Sequence, residues 1–189
     1  MNTAEVTERA LAVLRESGIL LYPTDTVWGL GCDATQSEAI ARIYELKQRP
    51  RGKSMIVLVE CEGRLRQLVP EVPQKVWDRI QTAESPLTVI YENAGHVAPE
   101  LLASDGSLGI RLTRDPWLKA LICQLDRPLV STSANPSGAP TPLCFSQVEA
   151  QILEGVDYAV PLRRAEKAQF KGSTILRLGS DRQFQILRA

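Results

Sequence analysis

Histidine is nearly missing from this chain: His96 stands alone among 189 residues. A Ser-His-Asp or Cys-His mechanism is thereby excluded unless His96 itself is the base. It lies in the turn-like run Asn93-Ala94-Gly95-His96 and reads as a surface residue. Cysteine is sparse as well. Cys32, Cys61, Cys123 and Cys144 are far apart, with no Cys-x-x-Cys pair, which argues against a protein zinc site. Reduced thiols in a cytoplasmic protein are the plain reading. Net charge is also lacking, with 22 basic residues against 22 acidic ones. No global field draws the chain to nucleic acid or membrane, so any polyanion must be held by a local cluster. No apolar run approaches the ~20 residues needed to cross a bilayer, and the polar start, Met1-Asn2-Thr3-Ala4-Glu5, lacks the layout of a signal peptide. Phosphate-binding signatures of the Gly-x-x-x-x-Gly-Lys-Ser/Thr and Gly-x-Gly-x-x-Gly kinds are missing too, so a nucleotide would be bound by another geometry.

What is present centres on residues 19–53. Ile19-Leu20-Leu21-Tyr22 reads as a buried strand closed by Pro23. A hydroxyl-rich turn follows, Pro23-Thr24-Asp25-Thr26, then Trp28, Gly29 and Gly31, where glycine permits close approach of a ligand. The spacing of Ile40, Ile43 and Tyr44 predicts a helix over 37–47, with Thr35 and Glu38 as its capping box. The helix delivers Lys47 and Arg49, with Arg51 and Lys53 beyond. A strand, a hydroxyl turn, a helix and four cations in one unit suggest an anionic ligand.

Apolar residues make up 44% of the chain, enough for one well-buried globular domain. A first helix is expected over 3–17, capped by Asn2 and Glu5 and ended by Gly18. Further helices are expected over 65–68, from Pro73 with Val76, Trp77 and Ile80 inward, over 116–125 behind Asp115-Pro116, and after Ser146 and Glu149 as a second capping box. Strands are expected at 55–59, 87–91, 108–112, 129–132, 158–162, 174–178 and 183–187, with 179–182 turning the last pair. Strands and helices are intermixed without repeat or linker. This predicts a single α/β domain over 1–189: a mixed, twisted sheet with flanking helices.

Three clusters carry possible chemistry. Lys47, Arg49 and Lys53 form either a solvated basic rim that complements the helix dipole or a polyphosphate clamp. The run from Ser131 to Gly138 has ordinary turn dipeptides, yet it gathers Ser131, Thr132, Ser133 and Asn135 past a strand end, where a phosphate or carboxylate could be held. Arg111 sits in the strand Leu108-Gly109-Ile110-Arg111-Leu112 and requires either a structural partner or a bound anion.

Four blocks, in order, carry a resemblance. They are Tyr22-Pro23-Thr24-Asp25-Thr26-Val27-Trp28-Gly29-Leu30-Gly31, Lys47-Gln48-Arg49-Pro50, Pro128-Leu129-Val130-Ser131-Thr132-Ser133-Ala134-Asn135-Pro136-Ser137-Gly138, and Ser173-Thr174-Ile175. Together with Ser85-Pro86-Leu87-Thr88 and Gly109-Ile110-Arg111-Leu112, they resemble the threonylcarbamoyl-AMP synthase family, the YrdC-like proteins, over nearly the whole chain. The resemblance implies a YrdC-like fold in its short form, without the extra C-terminal domain of longer members. It implies an enzyme that makes threonylcarbamoyl-adenylate and pyrophosphate from L-threonine, bicarbonate (or carbon dioxide) and ATP, with Mg²⁺ carried by the ATP phosphates. A separate transferase complex would then modify the adenosine at tRNA position 37. Lys47, Arg49, Ser133 and Asn135 map onto the family's Lys-x-Arg and Ser-x-Asn signatures as catalytic residues. Nucleotide contacts are implied for those four with Lys53, Thr141 and Arg188, and threonine contacts for Thr24, Thr26, Arg111, Ser131 and Ser173.

Such a reaction needs no histidine or cysteine. A carbamate already carries the charge to attack phosphorus, leaving the protein to position two anions and neutralise the leaving group. Departures from the family are Trp28 for Tyr or Phe, Glu84-Ser85-Pro86 for Pro-Gly-Pro, and Leu58 where some relatives place a histidine near threonine. Competing readings are a paralogue making a related carbamoyl-adenylate and a double-stranded-RNA-binding module. Zero net charge leaves tRNA or double-stranded RNA a weak partner at most.

Overall fold

The computed structural model describes residues 2–50, 54–170, 172–179 and 183–188. Helix α1 (Thr3–Arg15) opens on the expected capping box: the Asn2 side chain accepts from the Glu5 amide, and the Glu5 side chain accepts from the Asn2 amide. Its stop differs from expectation. Ser17 takes the left-handed conformation at φ 58, and Gly18 follows because a Cβ there would fall 2.5 Å from Val13 Cγ1. Strands β1 (Leu20–Tyr22) and β2 (Gly29–Gly31) come next, then α2 (Ser37–Leu46), β3 (Ile56–Val59), α3 (Glu62–Leu68) and α4 (Gln74–Thr82). Strands β4 (Leu87–Tyr91) and β5 (Leu108–Leu112) flank a 3₁₀ turn at Pro99–Leu101. Helix α5 (Pro116–Leu125) is capped by Asp115 as expected, through the Leu118 amide. The remainder is β6 (Leu129–Ser133), a 3₁₀ turn at Phe145–Gln147, α6 (Ala150–Gly155), β7 (Tyr158–Ala159), β8 (Thr174–Leu178) and β9 (Phe184–Arg188).

Several expected details are corrected. Neither later capping box forms. The N-cap of α2 is Gln36, without a side-chain bond, because Thr35 turns back to Asp33 Oδ1 through both its amide and its hydroxyl. Ser146 lies in the 3₁₀ turn, and α6 starts from Glu149 without a side-chain cap. Gly29-Leu30-Gly31, for which the sequence suggested only close approach of a ligand, forms a strand, and Gly29 lines the cleft described below. The strand expected over 158–162 is the two-residue β7. Of the expected 179–182 turn, only Gly179 lies within the described residues, and its amide closes onto the Gln183 carbonyl.

The strands join in the order β7-β1-β2-β6-β3-β5-β4-β8-β9, a mixed sheet. Strand β6 is the seam: Thr132 and Ser133 pair with β2, whereas Leu129, Val130 and Ser131 pair with β3. Side chains alternate across the sheet with the strand's period of two. Leu21, Leu30, Val57, Val59 and Ile110 enter the core beneath α2, α3 and α4, whereas Leu20, Tyr22, Leu58 and Leu129 enter a second core against α1 and α5. Arg111, between Ile110 and Leu112, is thereby turned away from the larger core, as its position in the strand predicts. Leu58, opposite Arg111 in register, is fully buried among the α1–α5 residues and serves as core.

Candidate functional site

A cleft of about 180 Å³ opens where the seam meets the turn after β1. Of the residues marked in the sequence, Thr24, Thr26, Arg49, Arg111, Ser131, Ser133, Thr141, Ser173 and Arg188 line it. Residues from both halves of the sheet therefore converge on one space. Lys53 lies outside the described residues.

Arg111 is 2% exposed; its two terminal nitrogens are engaged locally, while Nε is buried with no hydrogen-bond partner among the described residues. Nη1 donates to Thr26 Oγ1 at 3.2 Å, and Nη2 lies 3.2 Å from Asp25 Oδ1. The acidic residues near it in sequence are engaged elsewhere: Asp105 with Arg177 and Asp115 with Arg163. The partner is thus Asp25, from inside the first motif, and the sequence reading missed it. The signal was the alternation of Thr24, Asp25 and Thr26 beside a strand end, legible only once β5 is known to cross that turn.

The same turn fixes its hydroxyl protons. Thr24 Oγ1 donates to the Val27 carbonyl at 2.7 Å and accepts the Thr26 amide at 2.9 Å. The Thr24–Thr26 hydroxyl contact at 2.9 Å must then carry the Thr26 proton. Thr26 Oγ1 consequently faces Arg111 as an acceptor.

Helix α2 ends at Lys47, and Gln48 adopts φ 50, which lets the Arg49 amide close onto the Tyr44 carbonyl. That reversal sends Arg49 to the cleft, where Nη2 also donates to the Ser54 carbonyl at 2.9 Å. Lys47 goes the other way. It is 1% exposed, so the solvated-rim reading does not hold for it. Its ammonium donates to the carbonyls of Ser133 and Asn135, the latter at 2.6 Å, beneath the loop after β6 rather than on the cleft wall. The Ser137 amide in turn closes onto the Lys47 carbonyl. Asn135 is also turned inward: Nδ2 donates to the carbonyls of Pro136 and Ala139, and Oδ1 is buried without a partner among the described residues. Lys47 and Asn135 thus shape the loop that presents Ser133.

The electrostatics follow from this crowding of cations. Burial, with the neighbouring Arg49 charge, pulls the Lys47 pKa from 10.5 down to about 8. Burial lowers Arg49, and burial with the charge of Arg111 lowers Arg188. Among the described residues, the guanidinium groups of Arg49, Arg111 and Arg188 line the cleft, and Asp25 pairs with Arg111 there. An anion entering the cleft would favour the charged forms of Arg49 and Arg188, which line it.

The model of the Sua5/YciO/YrdC family, described as telomere recombination, matches residues 12–189. The chain belongs to this family. A threonylcarbamoyl-AMP synthase of Hahella chejuensis is 34% identical over 155 residues, 82% of this chain and 84% of that one. Among solved structures, P. abyssi Sua5 complexed with L-threonine superposes with a TM-score of 0.85 at 23% identity; all of this chain is covered but 54% of that one, about half its length. E. coli YciO superposes at 0.81 and 22% identity, over 99% of this chain and 89% of that one. At these identities the structural likeness speaks for the Sua5/YciO/YrdC fold, a single α/β domain with flanking helices.

Proposed function

We infer that this chain is a threonylcarbamoyl-AMP synthase, a nucleotidyl-transferring enzyme that joins L-threonine, bicarbonate or carbon dioxide, and ATP. The observation that carries the reading is one cleft in which Arg111, seated between Thr26 and Asp25, faces the same space as Arg49, Ser133 and Arg188. Two anions can be held side by side there. We assign the threonine carboxylate to Arg111, with Thr24, Thr26, Ser131 and Ser173 around the amino acid. The ATP phosphates are assigned to Arg49, Ser133, Thr141 and Arg188, over the loop braced by Lys47 and Asn135, with Lys53 beyond the described residues.

The chemistry asks little of acid–base residues. The threonine amine and carbon dioxide give a carbamate, whose oxygen attacks the α-phosphorus as pyrophosphate leaves. Arginines fixed before the reaction stabilise the charge that develops on the phosphates without reorganising. The described residues contain no cluster of three His, Cys, Asp or Glu able to hold a metal, so we propose that Mg²⁺ arrives on the ATP phosphates as part of the substrate. The product would pass to a threonylcarbamoyl transferase complex acting on tRNA in the cytoplasm, and RNA binding by this chain itself is proposed to be weak. No helix among the described residues is long and apolar enough to cross a membrane.

The test is pyrophosphate release from ATP by the purified protein, omitting one component at a time. Turnover is expected to depend jointly on L-threonine, bicarbonate and Mg²⁺. Equal release without threonine would refute the reading.

A further inference from the structure

If the synthase reading holds, one residue that touches no substrate also decides how threonine is held. Thr88 lies on β4, is 0% exposed and does not line the cleft. Parallel pairing of β4 with β8 sets Leu87 against Thr174 and Thr88 against Ile175, which brings Thr88 beside Ser173. The Thr88 hydroxyl has one hydrogen-bond partner among the described residues, Ser173 Oγ at 2.7 Å. Ser173 lines the cleft, and its Oγ also accepts from Arg188 Nη2 at 3.2 Å. Arg188 is itself anchored on the Ser173 carbonyl, through Nε at 3.0 Å and Nη2 at 2.8 Å.

Geometry alone allows either hydroxyl to donate in the Thr88–Ser173 pair. Hydrogen-bond accounting breaks the tie. Were Ser173 the donor, the Thr88 proton would be sealed in the interior without an acceptor, an unfavourable state for a buried hydroxyl. With Thr88 as donor, Thr88 is satisfied and Ser173 accepts twice, from Thr88 and from Arg188, which fills both of its lone pairs. The Ser173 proton then has the cleft as its open direction. We propose that Thr88 is a positioning residue: it makes Ser173 a one-way donor, able to serve an anionic oxygen of the amino-acid substrate and unable to accept from its N–H or O–H groups.

Thr88→Val exchanges the hydroxyl for a methyl of similar size, whereas Thr88→Ser keeps the hydroxyl. Steady-state pyrophosphate release should show the threonine KM of Thr88→Val raised about three- to tenfold, the value of one neutral hydrogen bond. Its kcat and ATP KM should stay at wild-type values, and Thr88→Ser should restore the threonine KM. In a Ser173→Ala background, Thr88→Val should add nothing further, because Thr88 acts through the Ser173 hydroxyl. Thr88→Ala carries the same expectation should the valine variant fail to fold. An unchanged threonine KM, an equal rise in the ATP KM, no rescue by serine, or additive effects of the two sites would each overturn the proposal. A wild-type protein whose turnover ignores threonine overturns the synthase reading and this proposal with it; threonine-dependent wild type with an unaffected Thr88→Val overturns the proposal alone.

Discussion

Arg111 and Lys47 are both buried cations, yet they are held in opposite ways. Arg111 has a carboxylate beside it and Lys47 has carbonyl dipoles. Removing the Arg111 fork takes away the cation assigned to the threonine carboxylate, and a charged hydrogen bond is worth about 1.5–3 kcal/mol. Arg111→Ala should therefore raise the threonine KM at least about tenfold while ATP affinity changes little. Kinetics in which the threonine KM is retained and ATP binding is lost would mean that the fork serves the nucleotide. Lys47 predicts a pH dependence. Its ammonium persists below about pH 8 and is lost above it, so the positive charge beneath the loop proposed to hold the ATP phosphates is present below that pH and disappears as pH rises. Calorimetric titration of ATP without threonine should show affinity falling between about pH 7.5 and about pH 9.5, a window in which ordinary lysines keep their protons; a flat profile would contradict it. The sign for stability is the reverse. The folded pKa lies below the ordinary lysine value of 10.5, so between about 8 and 10.5 the unfolded chain binds more protons, and this group's contribution to stability rises with pH.

Among the elements, β2 has the least tolerance. A Cβ on Gly31 would fall 2.1 Å from the Val130 carbonyl oxygen and 2.9 Å from the Tyr22 hydroxyl, two groups that bond each other at 3.0 Å. Gly31→Ala must push β2 off β6, and thermal unfolding should show a loss of about 1–3 kcal/mol, the usual cost of overpacking. A melting temperature equal to wild type would mean that the seam can spread freely. This strand also shows where sequence reading reached its limit. Helix α5 and strands β4 and β5 were legible because Asp115-Pro116 is a local start signal and the runs at 87–91 and 108–112 are apolar and bounded by turns. Gly-Leu-Gly carries no strand propensity; the groove left by Tyr22 and Val130 makes it a strand, and that groove is a tertiary fact. The capping boxes at Thr35 and Ser146 failed for a related reason, since a local pattern lost to a nearer partner or a different turn. Most of the cleft lining was legible through its motif residues. The inward turn of Lys47 and Asn135, the Asp25 partner of Arg111 and the buried Thr88 were not, because each depends on which strand crosses which turn.

At the scale of the molecule, the cleft straddles the seam, taking Thr24 and Thr26 from one half of the sheet and Arg111, Ser173 and Arg188 from the other. Substrates that touch both halves should tie them together. In hydrogen–deuterium exchange, threonine with a non-hydrolysable ATP analogue should slow the amides of 24–29 and 172–176 together, because ligand binding stabilises every segment whose opening would break the site. Protection of one segment alone would show that the two halves do not share a ligand. The reach of the cleft, from residue 24 to residue 188, has a further bearing on how the protein comes into being. Residue 24 leaves the ribosome long before residue 188, and contacts that distant in sequence form late. A nascent chain that has made α1, α2 and β3 still lacks Ser173 and Arg188, and with them part of the site proposed for the two substrates. On the assignment proposed above, catalytic competence waits on the β8–β9 hairpin, and a protein cut before Ser173 is expected to lose threonine-dependent pyrophosphate release.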